Sequence, residues 1–108
     1  MADRLLEMIH SFEPADELKY NKFYIGLAKD SKPSNFVVFR AKKHNLAAEV
    51  RLPMSEETTK ELEDAGLDLM DYDKRWGRYR IRVTPPELKT HAELLTRLLK
   101  RAHDSAGL

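Results

Sequence analysis

The sequence predicts an α+β domain in the order α-β-β-β-α-β-α, a mostly antiparallel four-stranded sheet packed with helices. Three observations carry this. Residues 3–13 and about 86–103 repeat apolar side chains at helical spacing. Between residues 18 and 52, three strand-length segments follow one another with short turns. "WGRYRIRVT", residues 76–84, alternates arginine with apolar residues after a shorter helix.

Each element has its own signal. Leu5, Met8, Ile9 and Phe12 line one side of the first helix, which Pro14 stops. In "ELKYNKFYIGLA", Phe23, Ile25 and Leu27 alternate with Lys22, Tyr24 and Gly26, the pattern of one half-buried strand. "KDSKPSN" is a turn cluster. "NFVVFRAK" is apolar on both parities, which predicts a central strand covered on both faces. "KHN" turns into "LAAEVRL", where Leu46, Ala48, Val50 and Leu52 face the core while Glu49 and Arg51 face away. Ser55 caps a helix with Glu56 and Glu57 in its first turn and Gly66 at its stop. "LDLMDYDKRWG" reads as an irregular connector. Thr84, Pro85 and Glu87 open a single closing helix that buries Leu88, Ala92, Leu95, Leu98, Leu99 and Ala102.

The 108 residues are expected to form one domain, residues 1–108. With no cysteine, disulfides, thiolate metal sites and cysteine nucleophiles are excluded. No apolar stretch approaches the roughly 20 residues that span a bilayer, and no signal-peptide core is present. The expectation is a cytoplasmic protein without a membrane association. Net charge is only +1, but it is segregated: residues 1–54 carry +2, residues 55–73 carry −7, and residues 74–108 carry +6. Such a layout gives an acidic side and a basic side.

The basic side carries the candidate site. Alternate strand residues lie about 6.5 Å apart on one face, close to the phosphate spacing along one nucleic-acid strand. Arg78, Arg80 and Arg82 therefore have the repeat needed to follow a backbone, and each guanidinium can donate two parallel hydrogen bonds to phosphate. Arg75 and Trp76 stand at the strand's start, where an indole can stack on a base. Lys42, Lys43 and Arg51 are the further candidate nucleic-acid-binding residues. The competing reading is a solvated sheet face, with Glu49 and the acids of residues 56–73 neutralising the arginines. DNA or RNA is the expected partner, and an acidic protein segment is the alternative. Replacing Arg78, Arg80 and Arg82 together by Glu is expected to abolish binding while leaving the melting temperature nearly unchanged.

Catalytic chemistry finds no constellation. His10, His44, His91 and His103 have no metal-ligand spacing, the glycines form no phosphate loop, and the serines occupy turns, caps or the tail. No cofactor is implied. The α-β-β-β-α-β order resembles the core of restriction-endonuclease-like nucleases. That core places an acid at the start of its second strand and Glu-x-Lys on its third to hold a metal that activates water. Here Asn35 stands in place of the acid and Glu49-Val50-Arg51 in place of Glu-x-Lys. A neutral amide binds a divalent cation weakly and an arginine cannot take up a proton, so the chain departs at two of the three positions.

A wider match runs over residues 18–103. "LKYNKFYIGL", "SNFVVFRAKKHNLAAEVRL", "WGRYRIRV" and "LLTRLLKRAH" resemble a small bacterial and archaeal domain of unknown function, labelled a predicted transport protein and also found at the C-terminal end of endonuclease-like chains. The matching motifs are core and turn residues, so the resemblance implies fold more than activity. It implies an accessory module, and by analogy nucleic acid nearby. A looser likeness is to small double-wing DNA-binding proteins, which share the sheet and closing helix.

Overall fold

A computed structural model describes residues 1–107. Helix α1 (Ala2–His10) precedes five strands: β1 (Asp16–Tyr20), β2 (Ile25–Lys29), β3 (Lys32–Pro33), β4 (Val37–Ala41) and β5 (Leu46–Arg51). Helix α2 (Glu56–Asp64) leads to β6 (Asp68–Leu69) and β7 (Arg78–Val83), and the chain closes with α3 (Pro85–Thr90) and α4 (Ala92–Ser105). The α+β class and the antiparallel sheet hold. The strand number does not: the sheet has seven strands in the order β1-β2-β4-β5-β7-β6, with β3 beside β2.

Three additional pairings explain the difference. "ELKYNKFYIGLA" is a hairpin rather than one strand; Asn21 N–H donates to the Tyr24 carbonyl and closes the turn between β1 and β2. Phe23 therefore lies at a hairpin tip, 75% exposed, not in the core. In the "KDSKPSN" cluster, Asp30 and Ser31 both take positive φ. That is the requirement of a tight two-residue hairpin, and it pairs β3 with β2. The supposed connector contributes β6, which pairs with the outer edge of β7.

The closing helix is two helices. His91 (φ −109°, ψ 26°) leaves helical geometry and breaks the run between α3 and α4. Leu88, Leu95, Leu98, Leu99 and Ala102 are buried as expected, while Ala92, beside the break, is only partly so. The predicted caps form: Ser55 Oγ accepts Thr58 N–H at 3.1 Å, and the Glu87 carboxylate accepts Thr84 N–H at 2.9 Å.

All helices lie on one side of the sheet. Leu5 and Ile9 of α1, Leu62 of α2 and Leu95, Leu98 and Leu99 of α4 join Leu27, Val37, Phe39, Leu46, Ala48, Val50, Tyr79, Ile81 and Val83 in one apolar cluster. Tyr79 fixes α2 there, since its hydroxyl donates to the Ser55 carbonyl and lies 3.0 Å from Thr59 Oγ1. Burial of these aliphatic and aromatic side chains is the main favourable term, on the order of 2 kcal/mol for each large one. Among the described residues the opposite face of the sheet carries no helix, and the two clefts there are lined by strand and turn residues. "NFVVFRAK" is buried on both parities, yet for different reasons. Val37 and Phe39 meet the helices; Val38, 2% exposed, lies among Tyr24, Arg40, Trp76 and Arg78 on the open face. Long side chains with apolar stems and rings cover it in place of a second layer.

Candidate nucleic-acid interface

The full six-residue register between β5 and β7 sets the open face. Reading across the strands, Arg40 of β4 aligns with Ala47 of β5, Arg82 of β7 and Asp68 of β6. The next row holds Val38, Glu49 and Arg80. Arg51 and Arg78 form the row after that. Side chains of one strand parity point to one face, so the alternation in "RYRIRV" delivers all three strand arginines to the side away from the core.

Glu49 is the acid at the centre of this face, and it is not solvated. It is 4% exposed and clamped by two guanidiniums, Arg40 Nε at 2.6 Å and Arg78 at 3.5 Å. A buried carboxylate requires such pairing. Its direct cross-strand neighbour, Arg80, is not among these partners; the bonds run diagonally to the residues two positions away on each flanking strand. Each carboxylate oxygen thus meets one guanidinium, which ties β5 to both β4 and β7. Asn35, the other position compared with a nuclease centre, is also engaged: its side-chain oxygen accepts Leu27 N–H at 2.9 Å. Among the described residues no group of three or more His, Asp or Glu side chains is arranged to hold a metal.

The three strand arginines thus differ. Arg78 is tied to Glu49. Arg82 meets Asp68 at 3.5 Å, with both side chains about half exposed, a geometry and exposure that give a pair little strength. Arg80 has no carboxylate partner among the described residues and is half-buried.

Arg80 and Arg82 open into a cleft of about 540 Å³ shared with Arg40, Lys42, Lys43 and His44. Five permanent cations line it against one carboxylate, Glu49, whose charge is already shared between Arg40 and Arg78. Its depth has a sequence cause. Ala47 lies between Arg40 and Arg82 in the row, and its methyl leaves a hollow where a longer side chain would fill the gap. The hairpin between β4 and β5, closed by Lys42 N–H donating to the Asn45 carbonyl, raises Lys42, Lys43 and His44 at one end.

A second hollow, about 320 Å³, adjoins the first through Arg40 and is lined by Tyr24, Asn35, Val38, Trp76 and Arg78. Trp76 is held out by a tight loop in which Asp73 Oδ1 accepts the N–H groups of Arg75 and Trp76. Gly77 at φ +66° supplies the left-handed residue that returns the chain to β7. The indole is 57% exposed, with the Arg75 and Arg78 guanidiniums 5.4 and 5.6 Å from its ring centre.

Of the residues expected from sequence, Lys42, Lys43, Arg80 and Arg82 converge in the cationic cleft, and Trp76 and Arg78 wall the second hollow. Arg75 stands outside both, against the indole, and Arg51 faces a separate depression beside Trp76 and Gly77. Sequence reasoning missed Arg40, which belongs to both hollows. Its signal was parity: Arg40 is two residues from Val38, on the same face, in a strand whose apolar run obscured it.

No helix among the described residues is long and apolar enough to cross a membrane. No protein-family model matches the chain, and no curated protein or solved structure matches it either.

Proposed function

We propose that this chain is a non-catalytic accessory module that contacts nucleic-acid backbone through the open, arginine-lined face of its sheet. The observation that supports this reading is the cleft floored by Ala47, where Arg40, Lys42, Lys43, Arg80 and Arg82 converge on a space whose one carboxylate is already neutralised. An excess of fixed guanidiniums in a concave site concentrates an anion, and arginine forks suit phosphate oxygens. The likeness to an accessory domain of endonuclease-like chains agrees with a module that binds while a partner acts.

Such binding is sequence-tolerant and falls steeply with salt, since each neutralised phosphate releases condensed counterions. An Ala47→Glu substitution places a carboxylate on the cleft floor between Arg40 and Arg82. Oligonucleotide affinity measured by anisotropy is expected to drop at least about tenfold, since one added like charge in a recessed site costs more than about 1.4 kcal/mol. Affinity unaffected by both salt and Ala47→Glu would end this reading.

A further inference from the structure

The cationic cleft explains attraction to a backbone but leaves the second hollow unused. That hollow is aromatic, with Tyr24 and Trp76 as walls and Val38 as apolar floor. The Arg40 and Arg78 guanidiniums lie 5.8 and 5.6 Å from the Tyr24 and Trp76 ring centres, and the Asn35 amide adds a neutral polar group in a fixed pose. Asn35 lies over Gly26, where an added Cβ would stand 2.7 Å from the Asn35 side-chain oxygen, so glycine is what admits the amide. The oxygen is occupied by Leu27 N–H. The amide nitrogen, which has no partner among the described residues, keeps both its donors for whatever fills the hollow. An aromatic slot with oriented N–H donors beside a phosphate-sized cationic cleft has the chemistry of a nucleotide.

A rim residue points the same way. Phe23, 75% exposed, stands at the tip of the β1–β2 hairpin, and its carbonyl accepts from Arg40, the residue common to both hollows. Exposed aromatic side chains beside a basic groove are the features with which proteins hold unstacked bases. A duplex cannot use them, because its bases are stacked and paired and one would have to be turned out of the helix.

We propose, resting on the backbone reading above, that the face is selective for single-stranded nucleic acid: a base occupies the hollow between Trp76 and Tyr24, Asn35 donates to its edge, and the adjoining phosphate lies over the Ala47 cleft. Arg40 bridges the two subsites.

Trp76 is the sole tryptophan, so its emission reports directly on the base subsite. The full chain is titrated at low salt with single-stranded DNA and RNA oligonucleotides of about ten nucleotides, with an abasic DNA of equal length, with a duplex, and with poly-glutamate. Quenching by single-stranded DNA, RNA or both, with at least tenfold weaker binding and no quenching for the abasic strand and duplex, supports the inference; the DNA and RNA arms show which sugar is preferred. Trp76→Leu, followed by anisotropy, should lose about tenfold for the base-bearing strand and little for the abasic one. Asn35→Asp, which retains the acceptor for Leu27 N–H, should weaken the base-bearing strand and leave Trp76→Leu binding lower still. Abasic or duplex binding as tight as the single strand, or single-strand binding without quenching, overturns base capture and leaves the backbone reading standing. Poly-glutamate binding as tight as any oligonucleotide, or no oligonucleotide binding at all, overturns both.

Discussion

The chain holds two charged clusters at opposite sides of its sheet, and they are built on different rules. Beneath the helices, Glu13, Asp16, Lys29, Ser34 and His103 form a corner in which the polar groups meet one another directly, with Asp16 Oδ2 buried and without a partner among the described residues. Lys29 Nζ lies 2.7 Å and His103 Nε2 3.2 Å from the same Glu13 oxygen, and Ser34 donates to Asp16 at 2.6 Å. His103 is further packed edge-on against Phe12 and Phe36. On the open face, Arg40, Arg78, Arg80, Arg82, Lys42 and Lys43 share Glu49 and the loosely placed Asp68. The first cluster is turned inward and joins the α1–β1 connection to β2 and α4; the second keeps surplus charge of a single sign open to water, the feature on which the proposed function rests.

Substitutions that remove that distinction should act in a graded series. Glu49→Ala has the largest expected effect. It leaves Arg40 and Arg78 without their carboxylate and should cost about 2–3 kcal/mol in denaturant unfolding, while raising affinity for a polyanion and steepening its salt dependence. Stability and binding move in opposite directions, which no purely structural role for the face would give.

Arg78→Glu comes next. It sets a carboxylate against the buried Glu49 and should lose about 2 kcal/mol, visible as a lowered melting temperature. This corrects the expectation that all three strand arginines can be replaced by Glu with the melting temperature nearly unchanged: Arg78 is tied to Glu49, and a Glu at 80 or 82 would stand directly across from Glu49 or Asp68.

The helix-side corner should reveal itself through pH. Burial pushes the Asp16 carboxyl above its ordinary value of 3.8, with the Ser34 hydrogen bond pulling less strongly the other way. A raised native value means the folded state binds the proton more tightly, so this contribution grows as pH falls from the raised value toward 3.8 and is lost as pH rises. Glu13 does the reverse: the Lys29 hydrogen bond holds it below 4.5, so its contribution is present above 4.5 and lost as pH falls through the lowered native value. Asp16→Asn should therefore remove a modest acid-side gain in melting temperature while leaving the Glu13 loss at lower pH in place. A variant with the wild-type pH profile would contradict the assignment.

Asp68→Asn should do least to the fold, less than about 0.5 kcal/mol, because its pair with Arg82 is exposed and long. Its effect belongs on binding, with affinity rising slightly as Arg82 is released.

The sequence spoke clearly where a local rule governs. Period-two alternation placed Arg78, Arg80 and Arg82 on one face, and capping chemistry placed the starts of α2 and α3. It was silent where distance in the chain matters. Nothing in "LDLMD" announces β6, because a two-residue strand exists only through its partner on β7. The split at His91 is a backbone departure that the apolar spacing of the run does not announce, and the hairpin within "ELKYNKFYIGLA" turns on the Asn21–Tyr24 closure rather than on alternation. The cleft follows the same logic. Its individual cations were visible, but Ala47 as its floor and Arg40 as its shared wall emerge only from the register of β4, β5 and β7.

The central claim is that surplus positive charge on the open face meets nucleic-acid phosphate. Measuring oligonucleotide affinity across a salt series for wild type and for Arg80→Gln/Arg82→Gln, which removes both charges without facing Glu49 and Asp68 with a like charge, tests it most directly. The account predicts an unchanged melting temperature, a large loss of affinity at low salt, and a log–log salt slope shallower by about 2, one for each phosphate contact removed. An affinity and slope equal to those of wild type would contradict it.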